Sequence, residues 1–232
     1  MLITPHPTAS AEGRQLLAAL EDRFQLAAPR CQQQVAEIIE QVRATGDAAV
    51  LDYTRRFDAP HINREQLRVS PAELEAAPGQ VDEEFRKALG VAIDRIRTFH
   101  EREREDSWIM TREDGTITGR LVQPVAAAGL YVPGGQGGQT PLVSSVLMNG
   151  IPAAIAGVER RVMVTPPDKE GRVHPALLTA AREIGISEIY KTGSAWAIAA
   201  LAHGTETIPR VDVIVGPGNQ YVTEAKRQGA GR

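Results

Sequence analysis

The sequence predicts an α/β fold: a mainly helical N-terminal region (1–125) that ends in a short hairpin, then a parallel-sheet domain (126–232). Three observations lead there. Of the 55 charged residues, 37 fall in positions 1–120 and 18 in 121–232. Glycine runs the other way, with 6 in the first stretch and 15 in the second. Beyond position 125, short apolar runs alternate four times with helical stretches. The first part therefore reads as solvated helices and the second as buried strands joined by tight turns. Near-continuous apolar strands with helical crossovers imply a parallel sheet covered on both faces.

The elements follow in order. Val35, Ile38, Ile39 and Val42 have the spacing of one helix face. Gly46-Asp47 ends that helix and starts another through Ala48, Leu51 and Tyr53. Ser70-Pro71-Ala72-Glu73 has the form of a capping box with proline at the first helical position. A long helix is expected from about Val81, with Val81, Phe85, Leu89, Ala92, Ile93, Ile96 and Phe99 on one stripe. The alternating charges from Glu101 to Asp106 suit a solvated helix end. Asp114-Gly115, between Trp108-Ile109-Met110 and Ile117–Val122, signals a hairpin.

In the second part, a strand over 126–132 leads to a helix over 142–157, with a break expected at Ile151-Pro152. A strand at 161–165 precedes a helix over 175–184, and a strand at 188–191 precedes one over 195–202. A last strand, 211–215, runs into Gly216-Pro217-Gly218-Asn219 and a further helix. Ligands of such sheets bind beyond the carboxyl ends of the strands. The loops there are 133–140, 165–167, 192–194 and 216–219. Their glycines suit tight turns, and equally suit close approach of a phosphate or ring to helix N-termini.

Composition narrows the function classes. A net charge of -3 offers no global basic field for nucleic acid. The single cysteine, Cys31, excludes an internal disulfide framework and has no evident partner base. No apolar run reaches the roughly 18 residues of a membrane span, and the N-terminus lacks the pattern of a secretory signal. A cytoplasmic protein is expected. The five histidines, His6, His61, His100, His174 and His203, show no metal-ligand helical spacing. His100 and His203 read as structural, and Ser144-Ser145 as a helix cap rather than a nucleophile. Neither GxGxxG nor a P-loop is present.

Five segments carry a family resemblance: GLYVPGG (129–135), SSVLMN (144–149), AIAALAHGTETIP (197–209), GPGN with YVTEAKR (216–227) and GDAAVLDYTRRFD (46–58). Together they resemble the N-terminal half of histidinol dehydrogenase. The resemblance implies a Rossmann-like domain and NAD as cofactor, in a zinc-dependent homodimer that oxidises L-histidinol to L-histidine in two steps through an aldehyde. It places the cofactor at Tyr131 and Asn219, with Gly134, Gly135, Gly193 and Gly218 shaping the loops. A third contact is a glutamine in a Gly-Gly-Ala-Gln run. Here that run is Gly193-Ser194-Ala195-Trp196, so Trp196 takes its place, with one donor and no acceptor. The loop Gln136–Thr140 is longer and richer in glycine than the family pattern. No catalytic or zinc-ligating role maps onto this chain, which is therefore expected to be inactive alone. Expected partners are histidinol in the full-length family and either a homo-oligomer or a complementary C-terminal fragment that covers the stripe of 81–99. The alternative is a non-catalytic paralogue that binds a nucleotide or a partner subunit.

Overall fold

In the computed structural model, residues 5–22, 29–134 and 141–231 are described. The chain runs α1 (Ala11–Asp22), α2 (Pro29–Thr45), α3 (Asp47–Phe57), α4 (Pro71–Ala76), a 3-10 turn (Ala77–Gln80) and α5 (Glu83–Glu101). A hairpin, β1 (Trp108–Thr111) and β2 (Ile117–Arg120), precedes β3 (Ala127–Tyr131), α6 (Val143–Ile155), β4 (Arg160–Thr165) and α7 (Pro175–Glu183). Then come β5 (Glu188–Lys191), α8 (Ser194–His203), β6 (Val213–Val215) and α9 (Gln220–Gly229).

The four later strands form one parallel sheet in the order β5-β4-β3-β6. Side chains alternate across it, as the strand period requires. Tyr131, Val162, Val164 and Tyr190 join one core with α2, α3, α8 and α9. Leu130, Val132, Met163 and Ile189 join the other with α5, α6 and α7. The expected double covering of the sheet is thus met. Gly129 lets α8 settle close on the sheet, since a Cβ there would lie 2.9 Å from Leu201 Cδ1. The outer edge of β5 is covered by residues 67–69, which run antiparallel to it: Val69 N–H donates to Ile189 O (2.9 Å) and Lys191 N–H to Leu67 O (2.7 Å).

Local signals were obeyed where they concerned the backbone. Ser70 Oγ accepts from Glu73 N–H and Glu73 accepts from Ser70 N–H, completing the capping box. The long helix begins at Glu83 rather than Val81, because the Asp82 side chain caps it through Phe85 N–H. Two expectations fail on α6. The helix does not break at Pro152 but continues to Ile155. Pro152 removes the helical donor to the Met148 carbonyl, yet the helix continues, held by Ile151, which is fully buried beside Gly150, whose α carbon faces Ile184. Nor does Ser144 or Ser145 cap it; the N-cap position is Leu142, with no side-chain cap bond. Helix α1, unmarked in the sequence, starts behind Ser10, whose Oγ accepts from Gly13 N–H (2.9 Å).

The stripe of α5 is less bare than expected. Leu89 is buried, and Phe85, Ala92, Ile93 and Ile96 pack into the core beside α6. Only Phe99, of that stripe, is an exposed large side chain, at 64%.

Candidate functional site

Strand order sets where the site lies. β3, β4 and β5 are added in one direction and β6 in the other, so the sheet's direction of growth reverses between β3 and β6. In parallel sheets the ligand crevice lies beyond the carboxyl ends at that point. Here the segments involved are 132–134 after β3, Gly193-Ser194 after β5 and 216–219 after β6.

A cavity of about 470 Å³ opens there, lined by α2, α3 and the first turns of α8 and α9. Ser194, Trp196, Asn219 and Tyr221 face it from one side, and Tyr53, Arg56 and Phe57 from the other. Both helices present N-terminal ends, a favourable setting for negative charge. Asn219 caps α9: its Oδ1 accepts from Tyr221 N–H (3.0 Å) and Val222 N–H (3.1 Å).

Trp196 is 5% exposed, and its Nε1–H donates to Thr54 Oγ1 at 3.2 Å. Its ring stacks on Tyr53 (5.4 Å, 14°) and Phe57 (5.4 Å, 23°). Those two lie one turn apart on α3, which puts them on one face. Arg56 reaches over the Phe57 ring, 5.1 Å from its centre. The indole is therefore the wall of the cavity, with its only donor already engaged.

Tyr131 stands behind this wall. Its hydroxyl accepts the Ser194 N–H at 3.1 Å. Burial pushes the phenol pKa up; the Ser194 bond opposes this and the charge of Asp58 adds to it. Ser194 is held at φ 52, the one non-glycine residue with positive φ among those described. Tyr131 thus restrains a backbone that serine adopts at a cost of roughly 1 kcal/mol or more. Asp58 lies at the end of α3 with a buried Oδ2 that has no partner among the described residues. Burial pushes its pKa up to about 6, against the pull of Lys169.

The glycines expected at the cofactor have packing reasons of their own. A Cβ on Gly134 or Gly193 would lie 2.7 or 2.8 Å from Pro166. One on Gly218 would meet Val222 at 2.2 Å. Gly216, at φ 113, would press its Cβ to 2.1 Å from Tyr131 O, so β6 can end beside β3 only with glycine there. Gly134 lines a different cavity of about 380 Å³, with Glu73, Pro166, Asp168, Arg172 and His174. The structure thus brings Trp196 and Asn219 together, sets Tyr131 behind them, and turns Gly134 elsewhere. Gly135 and the loop Gln136–Thr140 lie outside the described residues.

Several residues of the cavity escaped the motif reading: Tyr53, Arg56, Phe57, Ser194 and Tyr221. The spacing of Tyr53 and Phe57 within the 46–58 segment was the available signal. Another motif proves architectural. Asp47 accepts from Thr205 Oγ1 (2.6 Å), Thr207 N–H (3.2 Å) and Thr207 Oγ1, and pairs with Arg64 Nε (2.9 Å). Glu206 accepts from Asp47 N–H (2.8 Å), so the 205–207 segment clasps the start of α3. Burial raises the Asp47 pKa, but the threonine bonds and Arg64 outweigh it and hold the carboxyl below its usual range.

The remaining nucleophile and ligand candidates fall into structural roles. The Cys31 thiol is buried, and burial followed by the Glu224 charge pushes its pKa up. His174 Nδ1 accepts from Ala176 N–H and caps α7 (3.1 Å). His100 pairs with Glu103 one turn on. Among the described residues no group of three or more His, Cys, Asp or Glu could hold a metal ion, and no helix is long and apolar enough to cross a membrane.

Fold and cavity together define a doubly wound, Rossmann-like α/β protein with a cleft at the reversal point of its sheet. The family model for histidinol dehydrogenase matches residues 21–232. The histidinol dehydrogenase of Desulfotalea psychrophila is 65% identical over 227 residues, which are 98% of this chain and 52% of that protein. Histidinol dehydrogenase 2 of Trichormus variabilis is 50% identical over 193 residues, 83% of this chain and 44% of that one. The crystal structure of histidinol dehydrogenase from Elizabethkingia anophelis superposes with a TM-score of 0.81 at 40% identity, covering 89% of this chain and 46% of that one. This chain belongs to the histidinol dehydrogenase family. It spans about half the length of the relatives it matches.

Proposed function

We propose that this chain is the dinucleotide-holding part of a cytoplasmic histidinol dehydrogenase, built from the helical region 1–125 and the α/β region 126–232. One observation carries the reading. The N-termini of α8 and α9 and three near-parallel aromatic rings line a single cavity at the sheet's reversal point. Helix N-termini suit phosphates and flat rings suit the heterocycles of NAD, so the donor set fits the cofactor.

Asn219 and the first turns after Gly193 and Gly218 would hold the cofactor, with Tyr131 fixing the α8 turn from behind and Trp196 forming the wall. Gly134 and Gly135 would shape the crossing from β3. NAD supplies the hydride acceptor for the two-step oxidation of L-histidinol to L-histidine. This chain's own part is to bind, orient and screen that acceptor. Trp196 Nε1–H is committed to Thr54, so this position offers NAD ring contact in place of an amide hydrogen bond. By the family resemblance, zinc and the acid/base groups belong to the portion of the relatives that this chain does not match. Residues 1–232 on their own are expected to bind NAD without oxidising histidinol, and a second copy or a complementary C-terminal fragment is the partner this reading expects.

Two assays on the purified chain test the reading. Calorimetric titration with NAD should give saturable binding. NADH formation from histidinol should stay at background, since loss of general acid–base groups alone costs roughly 10²- to 10⁴-fold. No NAD binding, or sustained NADH production, contradicts it.

A further inference from the structure

One face of α2 borders the cleft. Gln34, Glu37 and Gln41 follow one another along it at one-turn intervals. The outer two are tied to tyrosines of the facing helices. The Tyr221 hydroxyl donates to Gln34 Oε1 (3.4 Å), and the Tyr53 hydroxyl donates to Gln41 Oε1. Glu37 stands between these two ties and lines the cavity. Its Oε1 accepts from Gln33 Nε2 (3.1 Å), and its Oε2 has no hydrogen-bond partner among the described residues. The cavity therefore holds an open acceptor of full negative charge.

Arg56 is the one cation among the described lining residues. It belongs to a different wall, over the Phe57 ring on α3, and that ring stacks on Trp196 in the first turn of α8. The Tyr53 phenol feels both charges. Burial and then Asp52 push its pKa up; Arg56 opposes this and Glu37 adds to it. Helix α2 itself packs on α3, α8 and α9, one layer out from the sheet. A ribose that reaches Glu37 is thus the one remote from the strand ends, the adenosine ribose of a dinucleotide.

We infer that Glu37 selects the cofactor, accepting hydrogen bonds from the adenosine ribose hydroxyls and excluding a 2′-phosphate. The inference rests on the dinucleotide reading above and deepens it by naming what separates NAD from NADP. A free 2′-hydroxyl is a donor that Glu37 Oε2 can accept, the arrangement by which sheets of this class take NAD. A 2′-phosphate instead brings a charge of about −1.5 to −2 and acceptor oxygens to the same carboxylate. Arg56 does not offset that repulsion, because it lies on the α8 side, where the pyrophosphate finds the helix N-terminus.

The test titrates the whole 232-residue chain with NAD and with NADP by calorimetry. NAD should bind about tenfold tighter or more, the worth of a hydrogen bond to a charged group. Glu37→Gln keeps the size and removes the charge; it should weaken NAD, strengthen NADP and close most of the gap. Glu37→Arg should reverse the order. Glu37 is exposed, and neither change touches the buried α2 residues Cys31, Val35, Ile39 and Val42, so circular dichroism should match the wild type. NAD lacking the adenosine 2′-hydroxyl should bind the wild type and Glu37→Gln alike. A wild type that binds neither NAD nor NADP overturns the dinucleotide reading and this inference with it. A wild type that binds NAD but takes NADP equally well, or whose NAD-to-NADP ratio survives both Glu37→Gln and Glu37→Arg, overturns the role of Glu37 alone.

Discussion

The family resemblance implies a glutamine where this chain has Trp196, and the indole is supported by its neighbours. Thr54 Oγ1 accepts the indole N–H, while the Tyr53 and Phe57 rings stack against it. Trp196→Gln should therefore act in opposite directions on folding and binding. Loss of a buried aromatic side chain costs up to roughly 3–5 kcal/mol when it is cut back to alanine, and the glutamine amide recovers part of that. Restoring one cofactor hydrogen bond is worth roughly 0.5–1.5 kcal/mol, a gain of about 2- to 12-fold in NAD affinity. Urea unfolding and calorimetry on the same sample read the two effects. Equal NAD affinity in both proteins would remove Trp196 from the argument, and tighter binding by the wild type would show that the indole stacks on the cofactor.

Asp58 gives a pH signature at the same scale. Its pKa rises from an ordinary 3.8 to about 6, with burial as the first cause and Lys169 opposing it. The folded state therefore holds this proton more tightly than the unfolded state. The group favours folding when protonated, and that advantage is lost as pH climbs from about 4 through about 6. Asp58→Asn should raise the unfolding free energy read from urea titration at about pH 8, by up to about 3 kcal/mol, and leave it nearly unchanged at about pH 4. A benefit that is larger in acid has the wrong sign for a buried, unpaired carboxylate.

Elements were legible where the signal was local. The Ser70–Glu73 capping box, the Asp114-Gly115 hairpin and the four apolar strands each rest on neighbouring residues, and each was placed to within a few positions. Pro152 misled because its helix is held by tertiary burial of Ile151 and by close approach at Gly150. The α5 stripe misled for a related reason: periodicity shows that a face is apolar but not what covers it, and α6 covers it within this chain. Of the cavity, Asn219 and Trp196 were reached through family motifs. The α3 rings were not, since only folding brings residue 53 to residue 196.

Glu73 ties two of these elements together. It completes the cap of α4 and also receives Lys191 Nζ at 2.6 Å, where Lys191 is 4% exposed. Burial pushes the Glu73 pKa up, but Lys191 and Ser70 hold it below its ordinary range. Ser70→Ala removes only a cap bond, worth about 1 kcal/mol. Glu73→Ala also strands a buried ammonium, a loss that reaches about 3–5 kcal/mol for buried pairs and falls short of that here because Glu73 is partly exposed. Chemical denaturation should rank Glu73→Ala well below Ser70→Ala; equal losses would mean that Lys191 finds water or another partner.

For the whole molecule, two cavities lie apart. The cleft is lined by α2, α3 and the first turns of α8 and α9, while the segments flanking the hairpin and the C-terminus of α6 line a separate cavity of about 620 Å³ near Ser107, Pro124 and Pro152. Mixing this chain with a separately expressed C-terminal half of the Desulfotalea psychrophila relative should restore NADH formation from histidinol. Continued silence in a mixture that demonstrably associates would favour the non-catalytic paralogue.

The cleft itself is tested most directly by its own fluorophore. The chain has two tryptophans, and Trp108→Phe leaves Trp196 alone in the cavity wall. NAD titrated into this variant should change Trp196 emission along a saturable curve. Adding Asn219→Ser, which keeps a capping side chain for α9 but removes the amide, should shift that curve to markedly higher NAD concentration with folding intact. Emission that does not respond to NAD, or a curve that Asn219→Ser leaves in place, would contradict a dinucleotide site at the N-termini of α8 and α9.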